Sequence, residues 1–174
     1  RGGRVSEIVR TVLRTVPQVA LRVLLEGPYD PASGKMTTAL TTTLTLAQHF
    51  AGRSIPDESV DSITVEIRDT PDAASAQVRK YAPAWLTSDG SIRMFTDAAR
   101  AYVDFDAVVG NYYVLIHHRN HLTVMSHQPY ALGTSGSVID LSDWSSGARA
   151  HGTNAMKQLA AGVYGMYAGD ANGS

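Results

Sequence analysis

Residues Ser62–Asp69 read SITVEIRD, and the alternation within them decides the fold. Ile63, Val65 and Ile67 project to one side, while Thr64, Glu66 and Arg68 project to the other. That period of two marks a half-buried antiparallel strand. Working outward, Asn111–His118 (NYYVLIHH) is the next strand of this kind. Upstream, Val19–Leu25 and residues 36–46 (MTTALTTTLTL) have strand character, with the turn-rich stretch Glu26–Gly34 between them. Gln48–Ser59 carries Gly52 and Pro56 and reads as an irregular loop. Downstream, Ala76–Leu86 passes through the turn Ser88-Asp89-Gly90 into Ser91–Phe95. Tyr102–Phe105, Tyr130–Leu132, Val138–Leu141 and Val163–Ala168 supply shorter strands, and Asn154–Ala160 (NAMKQLA) has the length for about two helical turns. Short strands punctuated by Gly, Pro, Asp and Ser predict an all-β chain. Its fold class is an antiparallel β-sandwich with at most one or two short helices, rather than a parallel α/β sheet.

The N-terminal stretch Ser6–Val16 (SEIVRTVLRTV) supports two readings. At a period near 3.6, Ile8, Val9, Val12, Leu13 and Val16 form one apolar stripe behind a Ser6 cap. As a strand it is rich in β-branched residues, and this reading is preferred. Pro17 ends either version. The expected organisation is an N-terminal segment over 1–20, serving as an exchanged strand or a linker. A sandwich domain follows over 21–169, then a polar end over 170–174.

The chain has 174 residues, 44% hydrophobic and 18% charged, with a net charge of −1. A domain of this length holds a core without staples. Near-neutrality argues against a nucleic-acid partner, which calls for a basic face. It also weakens repulsion between copies of the chain. The absence of cysteine removes disulfides, thiolate metal sites and thiol nucleophiles. No apolar run approaches the roughly 20 residues of a membrane span. The start at Arg1, without Met, leads to the expectation of a processed or truncated N-terminus.

Candidate chemistry is sparse. His117, His118 and His121 sit in HHRNH, the densest imidazole cluster. On one continuous strand His117 and His118 face opposite sides, and His117 and His121 stand about 13 Å apart at ~3.3 Å per residue. A shared metal would need the chain to turn at Asn120, so strand-end hydrogen bonding is the preferred reading. No G-x-S-x-G elbow, phosphate-binding loop or dinucleotide fingerprint is present. The pairs Asp104/Asp106 and Asp140/Asp143 read as solvated faces rather than glycosidase carboxylates. Trp85 and Trp144 are the candidate ligand contacts, as flat rings for sugar stacking. The competing reading places Trp85, with one of Tyr112 and Tyr113, in the core. Asp170, Asn172 and Ser174 occupy the first alternating oxygen positions of a calcium loop, D-x-N-x-S. The later glycine and bidentate acid are missing.

Four stretches together resemble a known module: LRVLLEGPYDPASGKMTTAL (Leu21–Leu40), SITVEIRD (Ser62–Asp69), GNYYVLIHHRNHLTVMS (Gly110–Ser126) and GTNAMKQLAAGVYGMYAGDANGS (Gly152–Ser174). The chain is similar there to the C-terminal β-sandwich module of large secreted Bacteroidota-type surface proteins, which precedes dockerin-like calcium-loop repeats. Gly110-Asn-Tyr-Tyr-Val also follows the G-x-Y-x-V pattern of prealbumin-like sandwiches, so an Ig-like or prealbumin-like architecture is implied. The resemblance implies an exported, extracellular or cell-surface location and no catalytic activity, and it strengthens calcium as a cofactor for Asp170, Asn172 and Ser174.

The leading functional expectation is therefore a non-catalytic structural or adhesion module. Its expected partners are other domains of the same protein, copies of itself, or surface polysaccharide. One alternative is an extracellular filament subunit joined by N-terminal strand addition. Another is a carbohydrate-binding module. A metal-dependent hydrolase using His118 and His121 is the least favoured.

Overall fold

Strand β4 (Ser59–Arg68) contains the deciding stretch and lies at the middle of a six-stranded sheet. Antiparallel neighbours flank it: β5 (Arg79–Thr87) on one side and β8 (Gly110–His118) on the other. Beyond β5 lies β6 (Ile92–Met94). The far side of β8 is shared by β10 (Tyr130–Leu132), against its start, and β9 (His121–Met125), against its end. A second sheet has the order β11 (Ser137–Asp140), β1 (Gln18–Arg22), β7 (Val103–Asp104). Two short hairpins complete the fold: β2 (Tyr29–Asp30) with β3 (Lys35–Met36), and β12 (Lys157–Ala160) with β13 (Val163–Gly165). This computed structural model describes residues 16–38, 50–53, 55–135, 137–145, 147 and 149–169.

The expected all-β sandwich is present, and its interior follows from the alternation. Ile63, Val65 and Ile67 of β4 share a core with Val114 and Ile116 of β8 and with Ala84 and Leu86 of β5. Val19 and Leu21 of β1, Val103 of β7 and Ile139 of β11 close the same core from the second sheet. Tyr112 joins this interior and its hydroxyl donates to Val108 O at 2.7 Å, while Tyr113 lies on the other face. Gly90, at φ +86°, turns the chain from β5 to β6 and accepts the Val23 N–H through its carbonyl at 2.9 Å. A Cβ there would stand 2.7 Å from Val23 O, so only glycine fits.

Several expectations change. The described residues contain no helix, and Asn154–Ala160 does not make helical turns. Its last four residues are β12, because Gly162 at φ +72° allows a hairpin in which β13 pairs with them and Leu159 packs on the core. One pairing departs from the antiparallel rule: β1 and β11 run parallel, from Val19↔Ser137 to Arg22↔Asp140. More than a hundred residues separate them, so no tight turn dictates their direction. Part of the supposed loop Glu26–Gly34 is strand, because the Asp30 carboxylate accepts N–H groups of Ala32 and Ser33 and tightens the β2–β3 turn. Of the strand expected over 36–46, Met36 closes β3, and residues 39–46 lie outside the described residues. The segment Val5–Val16 lies outside them too, apart from Val16.

Candidate functional site

The second face of β4 was expected to be open to solvent, yet Glu66 there is 0% exposed. Its neighbours in the sheet are Tyr81 of β5 and Leu115 of β8. Arg68, two residues along the same face, donates to both carboxylate oxygens, with Nη2 to Oε2 at 3.1 Å and Nε to Oε1. Arg79 Nε of β5 donates to Oε1 at 2.6 Å, and His117 Nε2 of β8 stands 2.6 Å from Oε2. A carboxylate only accepts, so Nε2 of His117 carries a proton, and its Nδ1 shares a hydrogen bond with the Thr123 hydroxyl at 3.0 Å. Burial pushes the Glu66 carboxyl up, and the hydrogen bonds from Arg68, Arg79 and His117 more than reverse it, holding its pKa at about 2. Beside this network a shallow cleft of about 510 Å³ is lined by Phe50, Ser62, Thr64, Pro83, Phe95 and His117, among others.

The second cluster lies on the core-facing side, near the start of β4. Here the HHRNH stretch turns, as a shared site would require: β8 reverses through Arg119 and Asn120 into β9, and His121 comes to rest opposite His118. The sheet also supplies an acid that local sequence does not, because Asp61 sits 57 residues before His118. Asp61 is 1% exposed and its Oδ2 accepts from His118 Nε2 at 3.1 Å and from Arg119 Nη2 at 2.7 Å. Burial pushes the Asp61 carboxyl up, and the bonds from His118 and the Ser62 N–H, with the Arg119 charge, reverse that and leave it below its ordinary value. His121 Nε2 donates to the Glu26 carbonyl at 2.9 Å. The two Nδ1 atoms of His118 and His121 face each other at 2.8 Å, with the rings at 71° and their centres 4.6 Å apart. Burial, ahead of the neighbouring His118, lowers the pKa of His121.

His117 and His118 thus do face opposite sides, each committed to a different carboxylate of β4. The candidate ligand contact Trp85 is 0% exposed, stacked on Phe95 at 4.6 Å and met edge-on by Phe50 at 5.0 Å. It is buried, but on the face of β5 opposite the shared core of Ala84 and Leu86, under Phe50 and Phe95. It therefore presents no open face to a sugar and does not join the sandwich core that the competing reading expected. Trp144 is half-buried, stacked on Tyr164 at 4.2 Å, with its indole N–H donating to Leu141 O at 3.0 Å. Asp140 accepts from Arg22 at 3.1 Å and from Ser142, and Asp143 accepts the Ser145 N–H, so this acidic pair is taken up by turns and an ion pair. Asp170, Asn172 and Ser174 lie outside the described residues. Among the described residues no helix is long and apolar enough to cross a membrane. No family model matches the chain, and no curated protein or solved structure matches it either.

Proposed function

We propose that this chain is a non-catalytic structural or adhesion module of a secreted or cell-surface bacterial protein. The observation that carries this reading is the mutual saturation of its strongest polar groups. Both oxygens of Glu66 are occupied by Arg68, Arg79 and His117, and these bonds cross-link β4, β5 and β8 on the outer face of the sheet. Asp61 in the same way pins the β8–β9 turn. Such networks hold strands in register, and their groups are committed to one another rather than directed at a substrate. The similarity to exported C-terminal sandwich modules supports the same reading and an extracellular or surface location.

The sharpest test uses the connectivity Thr123–His117–Glu66, which imitates a nucleophile, a base and an orienting acid. Activated ester hydrolysis by the whole chain should equal that of the His117→Ala and Thr123→Val variants. Turnover that depends on His117 would sink the non-catalytic reading.

A filament subunit is the second reading, favoured by β11. This strand lies at an edge of the smaller sheet and exposes 79% of Val138. An exposed apolar edge strand is a template for pairing with another copy. Sedimentation at rising concentration should then show association, weakened by Val138→Lys; a monomer at all concentrations would remove it.

A further inference from the structure

The unexplained feature is the approach of two imidazole nitrogens inside the second cluster. His118 has its Nε2–H committed to the Asp61 carboxylate, and His121 has its Nε2–H committed to the Glu26 carbonyl. Each ring is therefore oriented through one nitrogen by an acceptor behind it. This is how metal-ligating histidines are held in their binding tautomer, with the other nitrogen left free to ligate. The two Nδ1 lone pairs converge at 2.8 Å, and that of His118 also takes the Asn120 N–H at 3.2 Å. Two lone pairs repel at that distance, so something electron-poor belongs between them.

A shared proton would favour a straight N–H···N arrangement and set the ring centres about 5 Å apart. They stand at 4.6 Å, with the rings steeply inclined, so the lone pairs aim at a point beside the line joining the nitrogens. Sharing a proton would also place an imidazolium within the fold. A metal at that point fits better. Bonds of about 2.0–2.1 Å meeting at a right angle separate the two nitrogens by about 2.9 Å, whereas a tetrahedral angle needs about 3.3 Å. The observed 2.8 Å matches the right angle.

The geometry points to a divalent copper or nickel site in which His118 Nδ1 and His121 Nδ1 are adjacent ligands of a tetragonal ion. Imidazole and water suit these ions, and Cu(II) heads the affinity order for such ligands. Among the described residues no third His, Cys, Asp or Glu joins the pair, so water fills the other positions. Binding would exchange the Asn120 N–H contact to His118 Nδ1, at 3.2 Å the longest in the cluster, for a metal bond. His118 is nearly buried and His121 half-buried, so the ion enters past His121. The site does no bond chemistry. It ties the β8–β9 turn to β4 and to the Glu26 segment, a role separate from the proposed module function.

The test is titration of the metal-free chain with aqueous Cu(II) above pH 7, followed by calorimetry and electron paramagnetic resonance. One equivalent should bind, with a spectrum showing two imidazole nitrogens. His118→Ala and His121→Ala should each abolish that signal, while far-ultraviolet circular dichroism reports whether the variant is folded. Asp61→Asn should weaken binding by about 10–100-fold, as loss of an orienting carboxylate does. His127→Ala and His151→Ala, both exposed, should change nothing. A folded wild-type chain that takes up no copper overturns the site and assigns the contact to a shared proton. Binding that survives in folded His121→Ala overturns it too, and Zn(II) binding as tightly as Cu(II) overturns the right-angled geometry.

Discussion

Replacing Glu66 by glutamine keeps the shape of the side chain and removes its charge from a fully buried position between two arginines and a histidine. The carboxyl is held at about 2, against an ordinary value of 4.5, so the folded state favours its ionised form. At about 1.4 kcal/mol per tenfold change, the difference amounts to about 3 kcal/mol of stability at neutral pH. The sign follows from the depressed value: the contribution is complete above 4.5 and disappears as pH falls through about 2. A neutral amide resembles the protonated acid, so E66Q should be less stable than the parent by about 3 kcal/mol at pH 7. That is in line with the cost of breaking a buried ion pair. With a urea slope of about 2 kcal/mol per molar for a domain of this size, the unfolding midpoint should fall by roughly 1.5 M. Repeating the melts between pH 7 and pH 2 should show the parent losing this advantage below pH 4.5 and meeting the variant near pH 2. A midpoint at pH 7 unchanged within about 0.5 kcal/mol, or equal acid slopes for the two proteins, would refute the reasoning.

Three further outcomes follow from the packing. Gly90→Ala should cost about 2 kcal/mol or more in urea melts, because it puts a Cβ at φ +86° and 2.7 Å from Val23 O; a neutral result would mean the β5–β6 turn relaxes freely. Tyr112→Phe deletes the hydroxyl bonded to Val108 O and should cost about 1 kcal/mol, with the near-ultraviolet spectrum otherwise retained. Trp85→Ala should cost about 3–5 kcal/mol, as truncation of a buried ring does; loss of glycan binding at unchanged stability would instead restore Trp85 as a ligand contact.

Strands β4, β5, β8 and β10 are legible in the sequence because side-chain alternation is a local property. SITVEIRD needs only its own eight residues to place Ile63, Val65 and Ile67 in a core. That only one of the adjacent Tyr112 and Tyr113 turns inward is similarly readable, while the packing decides that it is Tyr112. Asn154–Ala160 misleads because seven residues satisfy a helical stripe and a hairpin arm equally, and the partner β13 decides between them. The candidate site is less legible still. HHRNH displays its imidazoles, but the turn at Arg119–Asn120 that joins His118 to His121 is not marked by glycine or proline.

Alternation along the chain, by itself, determined that this protein is all-β and which side chains its sheets enclose, since the pleat reverses direction at every residue. Only the tertiary structure decided what the other face does. Glu66 meets His117 across 51 residues, Asp61 meets His118 across 57, and β1 lies parallel to β11. Those meetings depend on which strands become neighbours and in what register. That choice is made by the energy of the whole packed sheet, and no window of sequence contains it.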